Sequence, residues 1–66
     1  MTRYQIPGMS CGHCKAAVER AVASVDPTAE VSVDLRERHA DVASDAAPAR
    51  MIEAFKSEGY EAVVAP

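Results

Sequence analysis

The segment Ala29-Glu30-Val31-Ser32-Val33-Asp34-Leu35 alternates apolar and polar residues without a break. A period of two puts Ala29, Val31, Val33 and Leu35 on one face of a strand and Glu30, Ser32 and Asp34 on the other. Such a strand needs partners for its backbone and a cover for its apolar face. The partners are legible nearby. His39-Ala40-Asp41-Val42-Ala43-Ser44 alternates again with Ala40 and Val42 inward, and the polar link Arg36-Glu37-Arg38 is short enough to pair the two as an antiparallel hairpin. Arg3-Tyr4-Gln5-Ile6, with Tyr4 and Ile6 inward and Pro7-Gly8 as its stop, reads as another strand, and Tyr60-Glu61-Ala62-Val63-Val64-Ala65 as the last.

The cover comes from two segments of longer period. From Cys14 onward Ala17, Val18, Ala21, Val22 and Val25 form one stripe, with Lys15, Glu19 and Arg20 outside it. This predicts an amphipathic helix of about three turns. Asp26-Pro27 ends it, because proline disfavours the α conformation in the residue before it. In the second segment Ser44 and Asp45 are good N-cap types, Pro48 suits an early helical turn, and Met51, Ile52 and Phe55 follow at helical spacing as far as Glu58. Gly59 supplies a left-handed stop. The order is β-α-β-β-α-β, which is satisfied by an α+β fold with two helices on one face of a four-stranded antiparallel sheet. Chain direction then brings three connections to one end: the loop after the first strand, the turn Arg36 to Arg38, and Ser57 to Tyr60.

With 66 residues, 48% of them hydrophobic, the chain has room for a single domain, 1–66, and one small core. Aromatic residues are limited to Tyr4, Phe55 and Tyr60, so Val, Ala and Ile carry most of that core. A net charge of −3 without any Lys/Arg run argues against nucleic acid or an anionic membrane as partner. No apolar run approaches the roughly 20 residues that membrane insertion needs, and no basic stretch with an apolar h-region marks a signal peptide. The expected address is the cytoplasm.

Both cysteines fall in the loop Gly8-Met9-Ser10-Cys11-Gly12-His13-Cys14. Two thiols three positions apart, at a change from strand to helix, can close on one soft metal ion or on each other. A disulfide here would clamp a very short loop and stabilise little, and in a reducing compartment the pair stays as thiols. The helix N-terminus favours thiolates at both positions. Two soft ligands suit a monovalent ion such as Cu(I), whereas structural zinc wants four ligands and this motif offers two. An under-filled site also lets a partner's thiolate enter. The rival reading is a redox pair of the thioredoxin kind, a thiol-disulfide oxidoreductase, although that fold needs a chain about half as long again.

The motif Gly8-Met9-x-Cys11-x-x-Cys14 resembles that of the heavy-metal-associated (HMA) domain family, and its surroundings are similar to those of bacterial copper chaperones. The resemblance covers the whole chain, including the helix positions Val18 and Val22 and the late Gly59-Tyr60 pair. It implies a ferredoxin-like fold, Cu(I) bound by Cys11 and Cys14, no enzymatic activity, and delivery to similar domains of a copper-transporting P-type ATPase. It also implies that Met9 packs beneath the loop instead of binding metal. The family's habit of sharing an ion between two open sites extends the expectation to a metal-bridged homodimer. One departure is Pro7, where many members continue the strand with a β-branched residue; it is expected to stiffen the loop entry and leave the ligands unchanged. A carrier of mercury, zinc or cadmium would keep the fold. Zinc and cadmium carriers tend to add a carboxylate, and the neighbours here are Ser10, Gly12 and Lys15, but mercury would use the same two sulfurs.

His13 lies between the cysteines as a third ligand or, more in keeping with the divergence of adjacent helical side chains, as an exposed group holding positive charge near the thiolates. Tyr60 is expected beside the site, since bacterial copper chaperones resembling this chain carry a tyrosine there; burial in the core is the competing role. Met51 reads as core and His39 as a solvated residue of the polar sheet face. Lys15, Arg36, Arg38 and Lys56 form either a basic rim that steers an acidic docking domain or ordinary solvated surface.

Overall fold

A computed structural model describes residues 1–9 and 12–65. The elements run β1 (Thr2–Gln5), α1 (Gly12–Val25), β2 (Glu30–Asp34), β3 (His39–Ala43), α2 (Pro48–Ser57) and β4 (Val63–Val64). The strands form one antiparallel sheet in the order β2-β3-β1-β4. The central pair β1 and β3 aligns Tyr4 with Ala40 and Gln5 with His39, and β3 meets β2 with Val33 opposite Ala40. That register sets Tyr4, Ala40 and Val42 on one face with Val31 and Val33. Against it pack Val18, Ala21 and Val22 of α1 and Met51 and Phe55 of α2, the two stripes anticipated from their spacing. Phe55 meets Tyr4 edge to face, with ring centroids 5.3 Å apart at 71°. The other sheet face is polar; there the Arg3 guanidinium forks onto Asp41, Nε to Oδ1 at 2.7 Å and Nη2 to Oδ2 at 3.1 Å.

Helix α1 has 14 residues and stops at Val25, where Asp26-Pro27 breaks the pattern. Two expectations about α2 and β4 need correction. The N-cap of α2 is Ala47, not Ser44 or Asp45, and it makes no side-chain capping bond. Ser44 is committed elsewhere: its hydroxyl donates to Asp26 Oδ2 at 2.7 Å and accepts from the Ala46 amide at 3.0 Å. A tertiary partner has outcompeted the local cap. At the other end Gly59 adopts φ +92°, its amide bonds to the Lys56 carbonyl, and the Tyr60 amide bonds to the Phe55 carbonyl, both at 2.9 Å. These are the paired bonds of a Schellman stop.

The last strand is shorter than its composition suggests. The Tyr60 amide is spent on the helix end, so ladder pairing starts only at Val63, opposite Gln5, and ends with the Ala65 amide on the Arg3 carbonyl at 2.8 Å. On this edge Val63 and Val64 remain 61% and 46% exposed. Among the described residues no helix is long and apolar enough to cross a membrane.

Candidate metal centre

The end of β1, the start of α1, the β2–β3 turn and the end of α2 meet at one pole, the end that chain direction had indicated. Ile6 closes a tight turn there: the Met9 amide donates to the Ile6 carbonyl at 3.0 Å, with Pro7 and Gly8 between them. Proline presets the φ of its position in such a turn. Met9 then enters the core with no exposed surface, alongside Ile6, Cys14, Val18 and Phe55. Packing of Met9 and Ile6 thus roots the loop from below.

Cys14 is the third residue of α1, inside the first turn, where the N–H groups have no helical acceptor. Its side chain is 7% exposed and its Sγ lies 4.0 Å from the Gly8 carbonyl. A nearly buried sulfur at the positive end of a helix suits a thiolate that a bound cation neutralises. Cys11, one position ahead of the helix, lies outside the described residues. Among the described residues no three His, Cys, Asp or Glu side chains gather into a cage for a metal ion.

The residues expected around the cysteines divide by depth. His13 is exposed on the first turn of α1, beside Cys14 in sequence. Tyr60 is half-buried and packs against the core cluster. A Cβ added at Gly8 would sit 3.7 Å from Tyr60 Cδ1, an ordinary contact, so the ring borders the loop as well as the core. Met51 is fully buried in α2, and His39 is half-buried on the polar sheet face opposite Gln5. Lys15, Arg36, Arg38 and Lys56 are all exposed, but Arg38 also turns its guanidinium onto the loop, with Nη1 3.4 Å from the Pro7 carbonyl.

The β2–β3 turn is itself ordered by Asp34, whose Oδ1 accepts from the Glu37 amide at 3.0 Å. That bond, opposed by desolvation and helped by the Arg36 amide and the nearby His39 and Arg36 charges, holds the Asp34 carboxyl below its ordinary range. Sequence reasoning had read this turn as a polar hairpin link at the cysteine end, with Arg36 and Arg38 as a basic rim or solvated surface. It did not find the Gly8 carbonyl beside Cys14 or the fastening of the turn to the loop, because backbone acceptors leave no mark in residue type. Gln5, a polar residue at the end of a strand, was the available signal: its Nε2 donates to the Glu37 carbonyl at 3.2 Å.

Residues 3–61 match the model of the heavy-metal-associated domain. The chain is 38% identical over 61 residues to the copper chaperone CopZ of Staphylococcus aureus, an alignment covering 88% of this chain and 90% of that one. Among solved structures it is similar to the copper chaperone Atx1 from Synechocystis PCC6803 in its Cu2 form, at 28% identity and a TM-score of 0.90, covering 96% of this chain and all of that one. It is also similar to the N-terminal domain of PacS from the same organism, at 32% identity and a TM-score of 0.83, covering 98% and 96% of the two chains. The ferredoxin-like sandwich, Cys14 in the first turn of its first helix with a second cysteine three positions earlier in the sequence, and the match over most of its length agree: the chain belongs to the heavy-metal-associated domain family.

Proposed function

We propose that this chain is a one-domain copper chaperone, a carrier and not an enzyme, which holds Cu(I) between the thiolates of Cys11 and Cys14. The observation that carries the reading is the setting of Cys14, nearly buried in the first turn of α1 and three positions after a second cysteine. A soft monovalent ion is satisfied by two sulfurs, and the relatives CopZ and Atx1, each matching over most of the chain, are copper chaperones. Met9, His13 and Tyr60 are the neighbours we assign to the site: Met9 as the root of the loop, His13 as an exposed imidazole beside Cys14, Tyr60 as its flank.

Transfer follows from the low ligand number. A thiolate of the acceptor joins the ion as a third ligand, one of the two cysteines leaves and takes up the proton that the acceptor thiol gave up, and the exchange repeats until both ligating sulfurs belong to the acceptor. Copper stays Cu(I), and the net result is two thiols exchanged for two thiolates on each side. The acceptor implied by the family is a metal-binding domain of a copper-transporting P-type ATPase, a domain of this same kind; the likeness to the PacS N-terminal domain supports that choice. A metal-bridged homodimer is the same exchange halted between two copies. The setting we assign is the cytoplasm, where thiols stay reduced.

The reduced protein, titrated with Cu(I) against a competing chelator, is expected to bind one ion tightly, and Cys11→Ser and Cys14→Ser are each expected to lower the affinity by orders of magnitude. Full affinity in either variant overturns the assignment. Metal content after expression in mixed-metal medium separates copper from mercury, zinc and cadmium. Metal-free protein that catalyses insulin reduction would make the chain an oxidoreductase instead.

A further inference from the structure

The β2–β3 turn is fastened to the entry of the cysteine loop at three points. The Ile6 amide donates to the Arg38 carbonyl at 2.8 Å, Gln5 Nε2 to the Glu37 carbonyl at 3.2 Å, and Arg38 Nη1 to the Pro7 carbonyl at 3.4 Å. Arg38 makes two of these bonds from a left-handed backbone, φ 58°, the one non-glycine residue in that region among those described. Side chains with a Cβ disfavour this conformation, apart from Asn and Asp, and residues held in it cluster where a ligand is clamped. Glycine or asparagine would fill the turn with less strain. Arginine brings what they lack, a guanidinium long enough to reach the loop.

The Pro7 carbonyl belongs to the peptide that links Pro7 to Gly8, the middle of the turn closed by Met9 on Ile6. The next carbonyl along, that of Gly8, faces Cys14 Sγ. A single peptide therefore separates the Arg38 guanidinium from the atom that borders the sulfur. We propose that Arg38 is a positioning residue for the entry to the cysteine loop: by holding the Pro7–Gly8 peptide it keeps the turn from Ile6 to Met9 in place beside Cys14, and loss of that hold quickens the withdrawal of a bound ion. The inference rests on the metal-carrier reading for its consequence, while the hold itself is measurable without metal.

Two variants test it. Arg38→Asn keeps a residue that accepts the left-handed conformation and removes the guanidinium; Arg38→Lys keeps a cationic donor of similar reach. In metal-free protein, Arg38→Asn is expected to melt at or above the wild-type midpoint while the Met9 amide exchanges with solvent several-fold faster and the Tyr4 amide of β1 does not. In Cu(I)-loaded protein, withdrawal of the ion by a chelator is expected to quicken several-fold in Arg38→Asn and to return most of the way to wild type in Arg38→Lys. Unchanged Met9 exchange, a uniform rise across all amides, or faster Met9 exchange without faster withdrawal would each overturn the proposal. Should the wild type bind no Cu(I), the carrier reading fails and the Met9 amide still decides whether Arg38 holds the loop.

Discussion

Met9 stands two positions before Cys11 and carries a sulfur of its own, yet its side chain has no exposed surface and belongs to the core cluster. Its thioether fills a gap under the loop, a task for which an unbranched, adaptable side chain is well suited. Met9→Leu preserves volume and should cost less than about 1.5 kcal/mol of stability. Chemical denaturation measures that cost, and Cu(I) affinity against a competing chelator, expected to be unchanged, shows whether the sulfur ever ligates. At this scale much was legible: Tyr4, Ile6, Val18, Val22, Met51 and Phe55 are buried as their spacing required. Arg38 was not, since its type reports charge and length, whereas its role depends on a left-handed backbone set by the hairpin around it. Cys11 and Cys14 were singled out by their spacing at a change from strand to helix and by the resemblance of the surrounding motif, and the first lies outside the described residues.

Elements obeyed their periodicity and departed from it at their ends. The interiors of α1, β2 and β3 follow the patterns of three to four and of two, because burial of one face selects them. Ends are decided by which single bond wins, and those contests are tertiary. Ser44 left the cap of α2 for Asp26, and Tyr60 gave its amide to the helix stop instead of the sheet. The first of these leaves α2 starting on Ala47, at φ −62° and ψ 138°, a backbone already shaped for an N-cap whose carbonyl accepts from the Arg50 and Met51 amides but whose side chain has no oxygen to add. Ala47→Ser should therefore stabilise the protein by about 0.5–1 kcal/mol. In a domain of this size that is a rise of several degrees in the melting midpoint, on the order of 4–8 °C per kcal/mol. Circular dichroism on heating is sufficient to see it, and an unchanged midpoint would mean that Ala47 is not the capping position.

Across the whole molecule the two poles have different duties. One carries the cysteine loop; the other is stapled by Asp26, whose Oδ1 accepts from the Thr28 amide and hydroxyl while Oδ2 accepts from Ser44, tying the turn after α1 to the loop before α2. The Ser44 bond foremost, then those of Thr28, hold the Asp26 carboxyl below its ordinary 3.8. Because the folded value is depressed, the unfolded chain takes up the proton first, so this contribution to stability is fully present above 3.8 and is lost as pH falls through that value towards the folded one. Asp41, lowered chiefly by its hydrogen bond from Arg3, and Asp34 act in the same direction. Urea midpoints should fall on acidification below about pH 4. The gap between wild type and Asp26→Asn should be open at pH 6 and closed once the carboxyl is protonated; a gap that persists unchanged in acid would contradict the charge-assisted account.

The sheet has helices over one face and water over the other, where Arg3, Ser32, Glu30 and Val63 are exposed. Its heat-capacity change on unfolding is accordingly small, about 0.8 kcal/mol/K for a chain of this length. A small heat-capacity change makes the curve of stability against temperature shallow, and the small unfolding enthalpy of so short a chain broadens its calorimetric peak. Warming or cooling by tens of degrees around the temperature of maximum stability then shifts the balance between folded and unfolded chain only gradually, and with it the support beneath Cys14.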